Sequence, residues 1–559
     1  MKKWTKEQQS AIDAKWRDAQ HIKRSNILVN AAAGSGKTAV LVERIIKKIS
    51  HLPSDKDYCS IDNLLVVTFT NAAAKEMQER ISAAITKKHQ KALDTGDYIT
   101  AVHFEKQLSL VHTADITTID SFCLKMIRSY FHLLNIDPDF NIIDSAEAMM
   151  LSEEVLEEFY EKYYDCEDLQ MLLSAFSGSR DEKGLSDIIK RIYQLTRNQP
   201  EPDKWLDEKL ELVISKGNKN PFLEPLINEV YLYAEYALKI TAELINEMIN
   251  YSDGISLQRK IEVVDAYIKE NPPEQPNDLY YCFGTYYKAA FDEFYFYKSL
   301  LCSDWDEFVE LSRNFEFLKL STKPAFSDKE KLIDDKEFKA RLKSLRDKEK
   351  NVFLNNILPL LVFDSEQTYL FSLEHLYPVA KILVKYVKIY SQMYSEKKAS
   401  KNMLSFSDVE HYCLKLFTDF PEIQKLLKDK YEEILMDEYQ DSNYLQEAIF
   451  EKISRGDNLF MVGDMKQSIY RFRSSDPALF KSKCVSFSKE EDSKDRKIVL
   501  SKNFRSRFEV LESINSVFSG IMSEEVGELI YDEDQQLNLG DESYSQENTH
   551  IFEPYKSEC

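Results

Sequence analysis

The chain has 559 residues, 43% of them hydrophobic, and carries a formal net charge of −22 at pH 7. This length predicts three or four domains, and the negative charge taken alone argues against a nucleic-acid partner. Because the sequence has no apolar signal region, no run of 18 apolar residues and only scattered cysteines, we expect a cytoplasmic protein without membrane spans or disulfides.

The predicted elements begin with an alternation of strands and helices in the first 140 residues. Apolar runs at 27–30 and 64–68 predict buried strands, and the patterns at 38–49 and 72–85 predict the helices that follow them. From about residue 145 to 400 the sequence predicts helices, and short apolar runs return at 434–436, 459–462 and 498–500. The expected fold class is α/β, with a parallel sheet covered by helices and interrupted by a large all-helical insertion.

The charge is unevenly distributed along this order. Residues 1–130 contain 20 Lys and Arg against 14 Asp and Glu, a balance of +6, which leaves −28 for the remainder. A positive region on an acidic chain keeps a phosphate-backbone partner possible, although ordinary variation in surface charge gives the same picture.

The segment AAAGSGKT at residues 31–38 lies between the first strand and the first long helix. A phosphate-binding loop needs inward backbone N–H groups, a helix N-terminus, a lysine and a hydroxyl for Mg²⁺. Gly34, Gly36, Lys37 and Thr38 meet these requirements, and Ala31 replaces the first glycine at little cost if its φ is negative. We therefore expect nucleotide binding here.

An acidic pair follows the strand predicted at 434–436. In the segment DEYQD at 437–441, Asp437 can hold Mg²⁺ and Glu438 can polarise the attacking water. An acidic pair after a strand is more often a solvated turn. Its combination with the loop at Lys37 favours an ATP-hydrolysing site that uses ATP and Mg²⁺.

Short polar residues and aromatic residues follow several predicted strands. They occur in TFTN at 68–71, TIDSF at 118–122 and GDMKQSIYRFR at 463–473, and NFRS at 503–506 adds an arginine suited to a γ-phosphate. Such residues can bond a nucleic-acid backbone and stack on bases of a single strand. Each segment alone is weak evidence, since an aromatic near a strand end is more often part of the core.

The order and content of these segments resemble superfamily 1 helicases of the UvrD/Rep type. The resemblance implies that Gln8 bonds adenine, that Arg44 packs near the base, that Gln467 senses the γ-phosphate and that Arg505 is an arginine finger. It also implies a nucleotide-binding loop formed by Ala31, Ala32, Ala33, Gly34, Ser35, Gly36, Lys37 and Thr38. The implied DNA contacts are Thr68, Phe69, Thr70, Asn71, Thr118, Ser121, Phe122, Tyr470, Phe472 and Arg473.

More narrowly, the chain resembles the N-terminal half of AddA-type helicase–nuclease subunits. The long helical block, the run LSFSDVE at 404–410 and the run at 522–527 carry this resemblance, and Asp120 stands where relatives often have histidine. Helicase motifs V and VI and the nuclease domain are missing, so we expect a fragment or a truncated product. The resemblance implies single-stranded and double-stranded DNA ends as substrates and a partner subunit of AddB type.

The expected domains are two parts of a RecA-like lobe at 1–145 and 401–485, a helical insertion at 146–400 and the beginning of a second lobe at 486–559. The leading hypothesis is an ATP-dependent 3′–5′ DNA translocase and helicase for the processing of double-strand breaks. The alternative is a non-motor module that binds ATP or DNA without unwinding. A P-loop kinase is disfavoured because the segments at 68–71, 118–122, 463–473 and 503–506 would have no role.

Overall fold

The computed structural model describes residues 4–14, 26–177, 182–214, 221, 223–252, 283, 285–320, 336–471, 475–491, 493–523 and 527–541. Its main feature is a six-stranded sheet in the order β3-β2-β6-β7-β1-β8, in which every neighbouring pair is parallel. The six strands are β1 Asn26–Ala31, β2 Leu64–Thr68, β3 Asp115–Thr118, β6 Glu433–Met436, β7 Leu459–Gly463 and β8 Asp495–Leu500. The strands predicted at the start and end of the chain are thus confirmed as members of one parallel sheet.

Four short strands form two further parallel pairs. They are β4 Asn141–Ile142 with β5 Met403–Leu404, and β9 Lys502–Asn503 with β10 Asn538–Leu539. The first pair joins the segments on either side of the residues predicted as an insertion. The strand β8 lies within the range expected to begin a second lobe, yet it pairs with β1 in the main sheet.

Helices account for most of the remaining described residues. They are α1 Lys6–Asp13, α2 Lys37–Ile49, α3 Asn71–Asp94, α4 Tyr98–Leu110, α5 Ile119–Ser129, α6 Phe131–Leu134, α7 Ser145–Tyr163, α8 Glu167–Phe176, α9 Lys183–Thr196, α10 Pro202–Val213, α11 Leu223–Ser252, α12 Thr285–Leu300, α13 Trp305–Asn314, α14 Lys336–Val352, α15 Glu366–Ser400, α16 Phe406–Asp419, α17 Pro421–Lys430, α18 Tyr444–Ile453, α19 Pro477–Ser486 and α20 Phe508–Ile521. The helices predicted at 38–49 and 72–85 are confirmed, although the second continues to Asp94. In the described part of the chain, no helix has the length and apolar composition needed to cross a bilayer.

The strand sequences explain why helices cover both faces of the sheet. Successive side chains of a strand point to opposite faces, and here both sets are apolar. In β1, Leu28 enters one core while Ile27 and Val29 enter the other, and all three are at most 1% exposed. On the second face, α2 packs through Leu41 and Ile45, which recur at the four-residue spacing of one helix face.

The described chain divides into two compact units. The first contains Met1–Cys166, Ser177–Trp205 and Val387–Cys559, and it includes the main sheet. The second contains Glu167–Phe176 and Leu206–Tyr386, and its described regular elements are helices with a core around α11, α12 and the turn Phe353–Ile357.

The run LSFSDVE has a clear structural role within the first unit. Ser405 and Asp408 form a capping box that begins α16. The buried Asp408 carboxylate also pairs with Arg197 and with Lys398, which is 2% exposed. Burial opposes ionisation of this carboxyl, but Lys398 and Arg197 hold its pKa below the usual range. This cluster therefore fastens three distant segments to the start of the helix that leads towards β6.

Candidate functional site

The loop at 31–38 connects β1 directly to α2. Gly34 and Gly36 have φ values of +70° and +84°, a region that glycine enters without steric cost. Gly36 precedes the first residue of α2 and no side chain caps that helix, so its N-terminal amides can face an anion. Ala31 is the last residue of β1, where extended backbone accepts alanine in place of glycine.

Gln8 lies against this loop and connects it to α1. Its Nε2 donates to the Ser35 carbonyl oxygen at 2.8 Å, and its Oε1 accepts from the Thr5 amide at 3.0 Å. The side chain is 5% exposed. The predicted adenine contact stays a prediction, and it requires at least one of these bonds to be exchanged for the base.

The structure corrects the role predicted for Arg44. Its guanidinium is 1% exposed, donates to both carboxylate oxygens of Glu433, and donates to the Ala11 and Ala14 carbonyl oxygens. It also lies 4.4 Å from the centre of the Phe460 ring. Because these protein groups enclose the guanidinium, it presents no surface to a base, and it instead joins α2 to β6 and to the end of α1.

The acidic pair after β6 lies beside the loop lysine. Lys37 Nζ is 2.8 Å from Glu438 Oε2 and 3.4 Å from Gln467 Oε1. Glu438 has a φ of +53°, a backbone conformation that costs a residue with a Cβ about 1–2 kcal/mol. The turn after β6 therefore aims this carboxylate at Lys37 at a conformational cost, which is typical of functional sites.

Carboxylates crowd this edge of the sheet. Burial, and next the Glu438 carboxylate, raise the pKa of Asp437 to about 6 and that of Asp441 to about 6. A bound divalent cation would offset this crowding. The described residues contain no group of three His, Cys, Asp or Glu side chains arranged as a metal cage. The oxygen donors Thr38 and Asp437 nevertheless fit Mg²⁺, which commonly uses one or two protein ligands together with water and phosphate oxygens.

Sequence reasoning overlooked Gln440, which is 2% exposed between these carboxylates. Its Nε2 donates to Glu438 Oε2 at 3.0 Å and to Asp441 Oδ2 at 3.1 Å. Its Oε1 accepts from the Asp464 amide at 3.0 Å. An amide within an acidic segment was the available signal, because only an amide offers donors to the acids and an acceptor to a backbone N–H.

The segment after β8 is bonded to the phosphate loop. Asn503 Nδ2 donates to the Ala33 carbonyl oxygen at 2.7 Å, and the Phe504 amide donates to the Gly34 carbonyl oxygen at 2.9 Å. Asn503 Oδ1 accepts from the amides of Arg505 and Ser506, both at 2.8 Å. Arg505 is exposed next to the loop, and its predicted role as an arginine finger stays a prediction.

The polar residues predicted to contact DNA gather at the carboxyl ends of β2 and β3. Thr70 caps α3 and Thr118 caps α5, each by accepting a backbone N–H three residues later. The Thr118 hydroxyl lies 3.0 Å from that of Ser121 and 3.4 Å from Asn71 Oδ1. Thr68 is 2% exposed, and its hydroxyl donates to the Thr70 carbonyl oxygen.

The aromatic candidates divide into two groups. Phe69 and Tyr470 form a partly buried pair with ring centres 4.4 Å apart and ring planes at 33°. Phe122 is 0% exposed in the core and lies near Tyr431, so the structure corrects its assignment as a DNA contact. Phe472 and Arg473 lie outside the described residues, as does part of the run at 522–527.

Asp120 lies partly buried near a second acidic side chain. Burial raises the pKa of Asp120, while burial and next the Asp120 carboxylate raise the pKa of Glu410 to about 8. Gln446 Nε2 donates to Glu410 Oε1 at 2.8 Å. The position that relatives often fill with histidine is thus part of an acidic group between α5 and α16.

Comparison with known proteins decides the family. The model of the UvrD/REP helicase N-terminal domain matches residues 12–268 and 289–488. The chain belongs to the UvrD/REP helicase family. The match includes the phosphate loop, the acidic segment and most of the segment at 463–473.

Individual relatives narrow this assignment. Proteins named as A-type subunits of an ATP-dependent helicase/nuclease are 38% identical in Alkaliphilus oremlandii, 37% in Ruminiclostridium cellulolyticum and 38% in Clostridium novyi. These alignments cover 97%, 96% and 96% of this chain, respectively, and 41% of each relative. The predicted resemblance to AddA-type subunits is confirmed, and the UvrD-type chain spans about two fifths of the length of these relatives.

The loop geometry predicts a difference between two glycines with similar φ values. At Gly96, with φ +72° and open space around the missing Cβ, alanine should cost about 1–2 kcal/mol of folding free energy. At Gly34 a Cβ would lie 2.6 Å from Asn503 Nδ2 and 2.9 Å from Arg505 Cβ. Chemical denaturation should therefore show a larger loss for Gly34→Ala, with loss of thermal protection by Mg·ATP. Equal losses and intact protection in both variants would contradict this loop geometry.

Proposed function

We propose that this UvrD-type chain is the ATP-hydrolysing part of a 3′–5′ DNA translocase and helicase that processes double-strand breaks. The observation that carries the proposal is the bonded group of Lys37, Glu438 and Gln467 beside the phosphate loop. A lysine that reaches both a carboxylate and an amide occupies the place where a γ-phosphate and an attacking water would meet.

Each residue of this group has a proposed role in hydrolysis. Lys37 and the amides of the loop bind the β- and γ-phosphates, while Glu438 orients the attacking water and accepts its proton. Thr38 and Asp437 hold Mg²⁺, which stabilises negative charge on the phosphates when bound. Arg505, next to the loop, contacts the γ-phosphate, and Gln467 responds to it.

The DNA track is proposed to follow the carboxyl ends of β2 and β3. Asn71, Thr118 and Ser121 would bond the backbone of a single strand, and the pair of Phe69 and Tyr470 would supply aromatic surface for its bases. The balance of +6 in residues 1–130 supports a polyanionic partner despite the net charge of −22.

The relatives are named as subunits of a helicase/nuclease, which supports a place in an enzyme of more than one chain. We propose a second subunit of AddB type and DNA ends as the substrate. The first domain would be a RecA-like lobe at 1–145 and 401–485 with the helical insertion at 146–400. Within 486–559, the second lobe would begin after β8, since β8 belongs to the main sheet. The expected cytoplasmic location stays a prediction.

The proposal predicts different defects for two substitutions at the ATP site. Lys37→Ala should abolish ATP hydrolysis and also the thermal protection by Mg·ATP, which is about 2.7 kcal/mol at 100 times Kd. Glu438→Gln should keep this protection but hydrolyse ATP far more slowly, because the amide cannot accept a proton. Lys47→Ala, on the exposed face of α2, is the control and should change neither. Normal hydrolysis by Lys37→Ala would refute the proposed site, whereas binding without hydrolysis in the unmodified chain would favour the non-motor alternative.

The proposed DNA track predicts that Phe69→Ala weakens binding of single-stranded oligonucleotides about 5- to 150-fold, equal to 1–3 kcal/mol of stacking. The loss should be similar for different sequences, and the salt dependence should stay nearly constant because no charge is removed. Fluorescence titration beside a thermal melt measures both quantities. Phe406→Ala, which removes a 55% exposed ring at the start of α16, is the control. Unchanged affinity of folded Phe69→Ala would remove this ring from the track.

A further inference from the structure

Gln440 occupies a position that no motif assignment above explains. Its side-chain amide is buried between the end of β6 and the end of β7, and it bonds on both sides. Towards β6, Nε2 donates to Glu438 and to Asp441. Towards β7, Oε1 accepts the Asp464 amide. Because the amide group is planar and rigid, movement of Glu438 and of the Asp464 backbone cannot be independent while these bonds persist.

Two further observations show that the chain is built around this amide. A Cβ at Gly463 would lie 2.5 Å from Gln440 Oε1, so the close approach of the two strand ends requires glycine there. The backbone carbonyl oxygen of Gln440 also accepts from the Ser468 hydroxyl at 3.4 Å. Both ends of the segment at 464–468 are therefore fastened to one residue.

The bonds continue from Asp464 back to the phosphate loop. The Asp464 carboxylate is 0% exposed, accepts from Gln467 Nε2 at 2.8 Å and pairs with Lys466 at 2.9 Å. Gln467 Oε1 in turn accepts from Lys37, which pairs with Glu438. The bonds form a closed ring from Glu438 through Gln440, Asp464, Gln467 and Lys37 back to Glu438.

The segment fastened by Gln440 leads directly to an aromatic side chain of the proposed DNA track. Tyr470 lies two residues after Ser468 and contacts Phe69 at the end of β2. A shift of the segment at 464–468 would thus reach this ring pair through the single intervening residue, Ile469.

We propose that Gln440 is a positioning residue that couples the Glu438 carboxylate to the segment at 464–468 and hence to the ring pair of Phe69 and Tyr470. This inference rests on the proposed function for the roles of Glu438 and the ring pair. Gln440 itself contacts neither substrate. It holds the carboxylate in its left-handed turn, and it passes a change at Glu438 to Asp464 when Lys37 moves onto a phosphate.

The test compares Gln440→Ala with Gln107→Ala. Gln107 is a suitable control because its amide is also buried, at 0% exposure, and its Oε1 accepts the Ile61 amide at 2.9 Å, away from the ATP site. Gln440→Ala should lower the DNA-stimulated kcat about 10- to 150-fold, the equivalent of one hydrogen bond to a charged group, with KM for ATP nearly unchanged. Gln107→Ala should lower the melting temperature and leave kcat unchanged.

A second variant separates the two sides of the amide. Gln440→Glu retains an acceptor for the Asp464 amide but places an oxygen against Glu438 and Asp441, so it should also lower kcat. An unchanged kcat in both folded Gln440 variants would overturn the inference, and so would a loss of kcat equal to that of Gln107→Ala.

Hydrogen exchange provides a readout that does not need turnover. Binding of Mg²⁺ with a non-hydrolysable ATP analogue should slow amide exchange at 463–468 in the unmodified chain, and this protection should be lost in Gln440→Ala. Retained protection would overturn the inference. Absence of Lys37-dependent hydrolysis in the unmodified chain would instead contradict the proposed function, so the two failures are distinguishable.

Discussion

The parallel pairing of six strands is the constraint on which the rest of the site depends. Parallel strands that share a sheet end at the same edge, and in an open α/β sheet that edge is where ligands bind. The ends of β1, β6 and β7 therefore bring Lys37, Glu438 and Gln467 within hydrogen-bond distance, although 401 and 430 residues of chain separate the lysine from the other two. The end of β8 adds a fourth segment, which bonds the backbone of the phosphate loop through Asn503.

Much of this arrangement could be predicted from sequence because its signals are local. Apolar runs of four to six residues predicted the strands, and the residues after each run predicted the functional segments. The strand at 64–68 has the predicted bounds, and the helix after the phosphate loop begins one residue earlier than predicted. The phosphate loop needs only consecutive residues, so its glycines, lysine and position between strand and helix were all visible before the fold was known.

The parts that could not be predicted depend on which polar groups become buried together. Arg44 is on a helix next to the ATP site, yet its partner Glu433 is 389 residues away and draws the guanidinium into the interior. Phe122 follows a strand as Phe69 does, but α5 turns its ring into the core. Gln440 is one amide in an acidic segment, and its importance appears only when Asp464 is brought to its other side. Such partners are set by tertiary structure, which the spacing of residues along the chain does not encode.

The central claim is that the ion pair between Lys37 and Glu438 marks the place where the phosphates of ATP bind. A crystal structure with Mg²⁺ and a non-hydrolysable ATP analogue tests it most directly, through the distance from Lys37 Nζ to Glu438, now 2.8 Å. The account predicts that Nζ leaves the carboxylate for the β- and γ-phosphate oxygens, while Gln440 Nε2 stays bonded to Glu438. An analogue bound away from residues 31–38, or a Lys37 that remains on Glu438 beside bound phosphates, would contradict the account.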